Sequence, residues 1–107
     1  MILRTKVEEE HMAILRVRHP VKDYAMWKRS FDADPLDRRG SGVLRYRIAR
    51  EVGNDLDLTI ELEFADIAKA ESMAERLRRL WQRPEVAGML TGPVAEVLNV
   101  VEEAVLD

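Results

Sequence analysis

Three stretches of the chain alternate apolar and polar residues, which is the pattern of β-strands that bury one face. They span residues 12–19, 43–52 and 56–64, and a fourth predicted strand covers residues 94–101. The third stretch is the most regular, because every second residue in it is apolar and each residue between is polar. The alternation predicts which strand residues lie under the helices: Leu15, Val17, Leu44, Tyr46, Ile48, Leu58, Ile60 and Leu62.

Two further stretches have apolar residues three and four positions apart, as in a helix with one buried face. In the first of them, Asp23 is suited to be the N-cap, and Tyr24, Trp27 and Phe31 then share a face. A segment with one proline and two glycines follows at residues 34–42, and it predicts a loop that ends this helix.

The second predicted helix is longer and covers residues 67–82. Asp66 is suited to cap its start, and Trp81 lies on its apolar face near its end. Pro84 suits the first position of a short helical turn that comes directly afterwards.

The predicted order of elements is β-α-β-β-α-β, because the turn sequence GND at residues 53–55 joins the second and third strands into a hairpin. This order predicts an α+β fold of the ferredoxin-like type, an antiparallel four-stranded sheet with the helices on one face. Residues 12–107 are predicted to form a single domain of this kind, and residues 1–11 a charged N-terminal extension.

The composition is that of a folded protein with no general attraction to polyanions. Apolar residues make up 47% of the 107 and charged residues 35%, with a formal net charge of −3, which favours neither nucleic acid nor an anionic membrane as a partner. There is no cysteine, which excludes disulfides and thiolate metal ligands. The acidic run Glu8–Glu10 stands where a signal peptide needs its apolar core, so the sequence predicts a cytoplasmic protein.

The polar positions of the strands predict a second, charged face of the sheet. Arg45 and Arg47 share it with Glu61 and Glu63, and arginines of the first strand lie beside them. A solvated face of paired charges explains this pattern, since each cross-strand pair stabilises by roughly 0.2–1 kcal/mol. Alternatively, two such faces meet in a homodimer, because helices cover only one side of the sheet. A nucleic-acid platform is disfavoured, since the glutamates cancel the positive charge and no aromatic residue shares the face.

Four segments together cover most of residues 12–104: VRHPVKDYAMWKRSFD, GVLRYRIAR, LTIELEFADIAKAESMAERLRRLW and RPEVAGMLTGPVAEVL. They resemble the dimeric α/β-barrel superfamily, which includes antibiotic-biosynthesis-monooxygenase-like and polyketide-cyclase-like small proteins. The resemblance implies a homodimer whose sheets close face to face into a barrel, and a small-molecule pocket between helices and sheet. Members include cofactor-free monooxygenases, haem-degrading enzymes and cyclases. The Asn-Trp-His set of the haem degraders has no match here, which argues against haem, and no cofactor is predicted.

Four side chains on the helix side of the predicted sheet are candidates for a shared ligand pocket: His19, Trp27, Tyr46 and Trp81. His19 is the candidate catalytic residue, because a histidine at a strand end can exchange protons near neutral pH. The alternative is that His19 bonds to backbone or water and that the rings only complete the core, as aromatic residues at helical spacing usually do. No metal site is predicted, because His11 and His19 are joined by no ligand-spacing pattern.

Two classes of function remain open from the sequence. One is a non-catalytic ligand-binding or stress-related module. The other is a cofactor-independent monooxygenase or cyclase acting on an aromatic or polyketide-like substrate, in which His19 and Tyr46 move protons. No clear acid–base pair can be identified, which favours the first class. An apolar cavity of roughly a few hundred cubic ångströms, reached by both side chains, would favour the second.

Overall fold

The computed structural model describes residues 12–106 and contains the predicted order of strands and helices. The elements are β1 (Ala13–Pro20), α1 (Tyr24–Asp32), β2 (Val43–Glu51), β3 (Asn54–Phe64), α2 (Ile67–Trp81), α3 (Pro84–Ala87) and β4 (Val94–Asn99). The strands form one antiparallel sheet in the order β2-β3-β1-β4. The ferredoxin-like α+β fold is therefore confirmed. The charged extension predicted over residues 1–11 lies outside the described residues, as does residue 107.

The hydrophobic core lies between the sheet and the two longer helices. Alternate residues of the two central strands are almost completely buried in it: Ala13, Leu15, Val17, Leu58, Ile60, Leu62 and Phe64. The β1–β3 register sets Leu15 opposite Leu62, so both strands present the same face to the helices. α2 adds Ala70, Met73 and Ala74 from its inner side. Full burial of a side chain such as Leu15 stabilises by about 1.5–3 kcal/mol, which fixes the register of the sheet.

Two of the positions predicted to lie under the helices are exposed, Leu44 by 59% and Tyr46 by 46%. Tyr46 keeps the predicted side of the sheet, opposite Leu62, but at Leu44 a shift in the register of β2 against β3 falls between Val43 and Arg45. This irregularity sets Val43 opposite Phe64, where Val43 packs against the core. The prediction for Leu44 is wrong, because an extra residue in one strand reverses the side on which its neighbours point.

The starts of the helices confirm the predicted caps. The carboxylate of Asp23 accepts a hydrogen bond from the backbone N–H of Met26 at 3.1 Å, and that of Asp66 accepts one from Lys69 at 2.8 Å. Each cap satisfies a backbone donor that has no partner within the helix, which typically stabilises by about 1 kcal/mol. α3 begins at Pro84, as predicted.

Some strand ends differ from the predicted ones. Pro20 is the last residue of β1 rather than the first residue beyond it, and Val21 continues the pairing by donating its N–H to the Leu56 carbonyl at 2.8 Å. β3 already begins at Asn54, because the hairpin turns tightly at Gly53, whose φ of +89° favours glycine. β4 ends at Asn99.

The sheet face opposite the helices carries ion pairs between neighbouring strands, and this face is called the open face below. The pairs are Arg47–Glu61, Arg45–Glu63, Arg16–Glu96 and Arg18–Asp57. The arginine side chains are largely exposed, so water and salt screen these pairs and they add little to the stability of the isolated chain. Val94 and Leu98 of the edge strand β4 also lie on this face, exposed by 53% and 36%. Within residues 12–106, no helix has the length and apolar character needed to cross a membrane.

Candidate ligand-binding cavity

An apolar cavity of about 150 Å³ lies between the helices and the sheet. β1 and β3 supply one wall and α1 and α2 supply others. The segment after α1, together with α3 and the segment after it, completes the lining. The lining residues are Val17, His19, Trp27, Ser30, Phe31, Asp34, Pro35, Leu36, Arg38, Ile60, Leu62, Met73, Leu77, Leu80, Trp81, Val86, Met89 and Leu90.

His19 is the polar side chain that the fold buries most deeply in this lining. It stands near the end of β1, opposite Leu58, on the face that also carries Leu15 and Val17, and only 3% of it is exposed. Its Nδ1 atom is buried and has no hydrogen-bond partner among the described residues. A buried polar atom without a partner costs about 1–3 kcal/mol, so an apolar side chain here would serve the core better.

Burial lowers the pKa of His19 below its usual value, because the charged imidazolium loses its hydration in apolar surroundings. Backbone groups of His19 and Pro20 and the carboxylate of Asp57 act in the opposite direction, but burial is the larger effect. Asp57 is itself paired with Arg18 at 3.3 Å. At neutral pH His19 is therefore an uncharged imidazole, which can accept one hydrogen bond and donate another.

Aromatic rings from both longer helices surround this imidazole. Trp27 of α1 and Trp81 of α2 meet the ring of His19 edge-on, with centroid distances of 5.8 and 6.4 Å. Phe31 continues the row by stacking on Trp27 at 5.1 Å. The structure thus brings three of the four predicted pocket residues into the lining of one cavity, and the two indole rings present flat apolar surfaces to it.

Tyr46 is the predicted pocket residue that does not line the cavity. Its position in β2 is opposite Leu62, and 46% of it is exposed. Its ring meets Phe31 edge-on at 5.1 Å, and the guanidinium of Arg38 lies over both rings, 3.9 Å from Phe31 and 5.0 Å from Tyr46. The structure does not bring Tyr46 and His19 together, and a role for Tyr46 in ligand binding stays a prediction.

The loop after α1 contributes polar residues that sequence reasoning did not single out. The carboxylate of Asp34 accepts a hydrogen bond from the Arg38 backbone at 2.9 Å and lies 3.4 Å from the Arg38 guanidinium. The guanidinium also donates to the Phe31 carbonyl at 2.7 Å. The pair makes this side of the cavity polar but electrically neutral. The sequence Asp-Pro at residues 34–35 does signal a turn, but a turn signal does not show that the loop folds back over the core.

The other unpredicted part of the lining comes from α3 and the segment after it. Val86 of α3 reaches the cavity, as do Met89 and Leu90 beyond the helix, and a β-bridge between Val21 and Leu90 joins this segment to the end of β1. Apolar side chains in a short loop give no periodic signal, so their burial cannot be inferred from the sequence alone.

The size of the cavity limits what it can hold. An apolar cavity of about 150 Å³ in a protein core accommodates benzene, whereas sites for drug-sized ligands measure roughly 300–1,000 Å³. The cavity is partly open to solvent, so this volume limits the enclosed part of a ligand to about one ring. Within residues 12–106, no group of three histidine, aspartate or glutamate side chains is placed to hold a metal ion.

Solved structures of other proteins share this fold at low sequence identity. One is a variant of SnoaB, a cofactor-independent oxygenase from Streptomyces nogalater, with a TM-score of 0.63 at 14% identity over 87% of this chain and 96% of that one. Another is a dimeric ferredoxin-like protein from an uncultured marine organism, with a TM-score of 0.62 at 14% identity over 87% and 98%. A third is a candidate antibiotic biosynthesis monooxygenase from Nitrosomonas europaea. Its TM-score is 0.58 at 16% identity, over 87% of this chain and 93% of that one. The chain has the fold of these proteins.

These neighbours are of the kinds that the four sequence segments resemble, so the resemblance is confirmed at the level of the fold. Identities of 14–16% carry the fold alone, because one fold hosts many functions. Comparisons with protein-family models and with curated proteins gave no match.

Proposed function

We propose that the protein is a small homodimeric α/β-barrel protein that binds a small molecule in the cavity beside His19 and does not transform it. The observation that carries this proposal is an apolar cavity lined by His19, a buried imidazole whose Nδ1 has no hydrogen-bond partner among the described residues. A ligand group that hydrogen-bonds to this imidazole offsets part of the cost of burying it. His19, Trp27 and Trp81 are ligand contacts in this proposal. It covers a ligand-binding or stress-related role in the cytoplasm, and the absence of cysteine is compatible with that compartment.

The surroundings of His19 favour binding over catalysis. General acid–base catalysis uses a pair of groups whose protons are exchanged within hydrogen-bond reach of the substrate. The carboxylate that influences His19 belongs to Asp57, which is engaged by Arg18, and Tyr46 lies outside the cavity lining. Among the described residues, His19 therefore has no second group positioned beside it for proton exchange, and the charged lining residues Asp34 and Arg38 pair with each other.

A thermal-shift screen with small molecules tests the binding proposal, because a ligand stabilises the folded protein by about 2.7 kcal/mol at a hundred times its Kd. Leu77→Trp places a larger side chain in the cavity wall and should abolish the shift. Leu44→Trp makes the same change at an exposed position outside the lining and should keep it. A screen without a specific ligand, or a shift that survives Leu77→Trp, would contradict the proposal.

The homodimer in this proposal forms through the open face, as two sheets closing into a barrel. The ladder of ion pairs supports it, because the arginines of one face can reach carboxylates of another, and exposed Val94 and Leu98 add apolar area at the edge. The neighbour described as dimeric has the same fold.

Sedimentation velocity should show a dimer at micromolar concentration. Arg47→Glu should weaken it, whereas Arg79→Glu, on α2, should not; a wild-type monomer would end this part of the proposal.

A cofactor-independent monooxygenase or cyclase acting on an aromatic or polyketide-like substrate is the second candidate. The fold shared with a cofactor-independent oxygenase favours it, together with an uncharged imidazole that can take up a proton. In this case His19 is the catalytic base, and turnover should show a titration that His19→Ala removes. Turnover that is unchanged in His19→Ala would exclude His19 from the chemistry.

A further inference from the structure

The cavity lining restricts the chemistry of a ligand more narrowly than its apolar character alone. We propose that the ligand is an uncharged molecule with a single aromatic ring and one hydroxyl-like group that hydrogen-bonds to the imidazole of His19. This inference rests on the proposed function, because it concerns the occupant of the same cavity. Four features support the inference: the volume of the cavity, the flatness of its walls, the charges of its lining and the buried imidazole of His19.

Size and shape select one planar ring. The volume of about 150 Å³ matches that of an apolar cavity that holds benzene, so the part of a ligand that this partly open cavity encloses is about one ring. The walls are flat, because Trp27 and Phe31 stack with an interplanar angle of 30° and Trp81 approaches from the other helix. A planar ring keeps contact with such walls over its whole surface.

The charges of the lining select an uncharged ligand. Asp34 and Arg38 are the two charged residues among those that line the cavity, and they neutralise each other at 3.4 Å. His19 is uncharged at neutral pH. A carboxylate or ammonium group entering the cavity would lose its hydration and find no free opposite charge, which makes its burial strongly unfavourable.

The hydrogen-bonding capacity of the lining selects one polar group and places it at His19. The hydroxyl of Ser30 is directed at the sulfur of Met89 at 3.8 Å, and the guanidinium of Arg38 is engaged by Asp34 and a backbone carbonyl. The imidazole of His19 is 97% buried and has no partner for Nδ1 among the described residues. A hydroxyl can donate and accept, so it matches a neutral imidazole in either tautomer.

Titration of the protein with phenol, toluene, benzoate and 1-naphthol, followed by NMR, tests this inference. The indole N–H signals of Trp27 and Trp81 report on the cavity directly, because these are the two tryptophans of the chain and both line it. Phenol should bind saturably, and benzoate and 1-naphthol at least tenfold more weakly. In His19→Leu the ratio of the phenol Kd to the toluene Kd should rise about fivefold or more, as for the loss of one buried hydrogen bond. Tyr24→Phe, which removes a hydroxyl outside the lining, should leave this ratio unchanged.

Tighter binding of benzoate or 1-naphthol than of phenol would overturn the inference about the ligand and leave the proposed function standing. The same holds if none of the four binds while the thermal-shift screen yields a cavity ligand. If that screen is empty as well, the proposed function fails too. A ratio that is unchanged in His19→Leu, or altered as much in Tyr24→Phe as in His19→Leu, would remove His19 as the partner.

A second measurement avoids any loss of folding in His19→Leu. In the unmodified protein, the imidazole ¹⁵N signals of His19 should shift strongly with phenol and weakly with toluene, because only phenol can bond to the ring. Equal shifts with both molecules would overturn the inference.

Discussion

Replacing His19 with glutamine removes a buried titratable group without adding a charge, and it should change how stability depends on pH. Burial lowers the pKa of His19 in the folded protein below the value of 6.5 that applies to an unperturbed histidine. Below pH 6.5 the unfolded chain therefore binds a proton that the folded protein does not bind. The folded state loses stability as the pH falls through this value, and the loss ends once the pH passes below the folded-state pKa.

The magnitude follows from the proton that only the unfolded chain takes up. If the folded state stays neutral, lowering the pH from 7 to 5.5 destabilises the protein by about 1.3 kcal/mol, because the unfolded chain goes from mostly neutral to mostly protonated at this histidine; a full proton over the whole range would give about 2 kcal/mol. This is an upper value, because Asp57 and nearby backbone groups favour the charged form of His19. The indoles of Trp27 and Trp81, which pack against the ring, carry no charge and leave the value unchanged.

Urea unfolding of the wild type and His19→Gln at several pH values between 7 and 5.5, at one protein concentration, measures this difference. The wild type should lose up to about 1.3 kcal/mol more than the variant over this range. A constant loss of stability in the variant does not matter, because only the two slopes are compared, and His11 is present in both proteins. Equal slopes would refute the reasoning, and a wild type that gains stability relative to the variant at low pH would show that the folded-state pKa is raised. If the variant does not fold, an NMR titration of the His19 imidazole gives the folded-state pKa directly.

Three further predictions concern the core, a helix cap and a turn. Leu15→Ala should lower the free energy of unfolding by about 2–5 kcal/mol and Leu44→Ala by less than about 0.5 kcal/mol; equal losses in urea unfolding would contradict the irregularity in β2. Asp66→Ala should cost about 1 kcal/mol in the same assay, and Asp66→Ser should retain most of that stability, because serine also caps. Gly53→Ala should destabilise by about 1 kcal/mol, since Gly53 has a φ of +89°, whereas Gly88→Ala, at a φ of −71°, should be neutral or slightly stabilising in thermal unfolding.

The sequence by itself determined the order of elements and most of the buried strand positions. Alternation in a strand is a local property, because successive side chains point to opposite faces whatever the strand pairs with. The positions Leu15, Val17 and Leu58 could therefore be assigned before any partner was known. The caps Asp23 and Asp66 were equally predictable, because a side chain that bonds to a backbone N–H a few residues along the chain needs no tertiary contact.

Only the tertiary structure decided where the alternation breaks and which candidate residues meet. The sequence around Leu44 alternates as well as any other, but the packing of Val43 opposite Phe64 shifts the register there. Sequence reasoning also could not show which neighbour Tyr46 contacts. Its ring packs edge-on against Phe31, with Arg38 over both rings, and not beside His19. These positions depend on which neighbour fills the space, and that is fixed by residues distant in the chain.

The cavity itself is the feature furthest from the reach of sequence reasoning. Sequence patterns placed His19, Trp27 and Trp81 on the inner side of their elements, and the structure brings all three into the lining of the cavity. The volume of the cavity depends on how the loop around Asp34 and the segment after α3 fold back over the core, and neither segment has a periodic pattern. A cavity is the space left between elements after they pack, so its size and the isolation of the His19 nitrogen follow from the summed shapes of side chains that are not neighbours in the sequence.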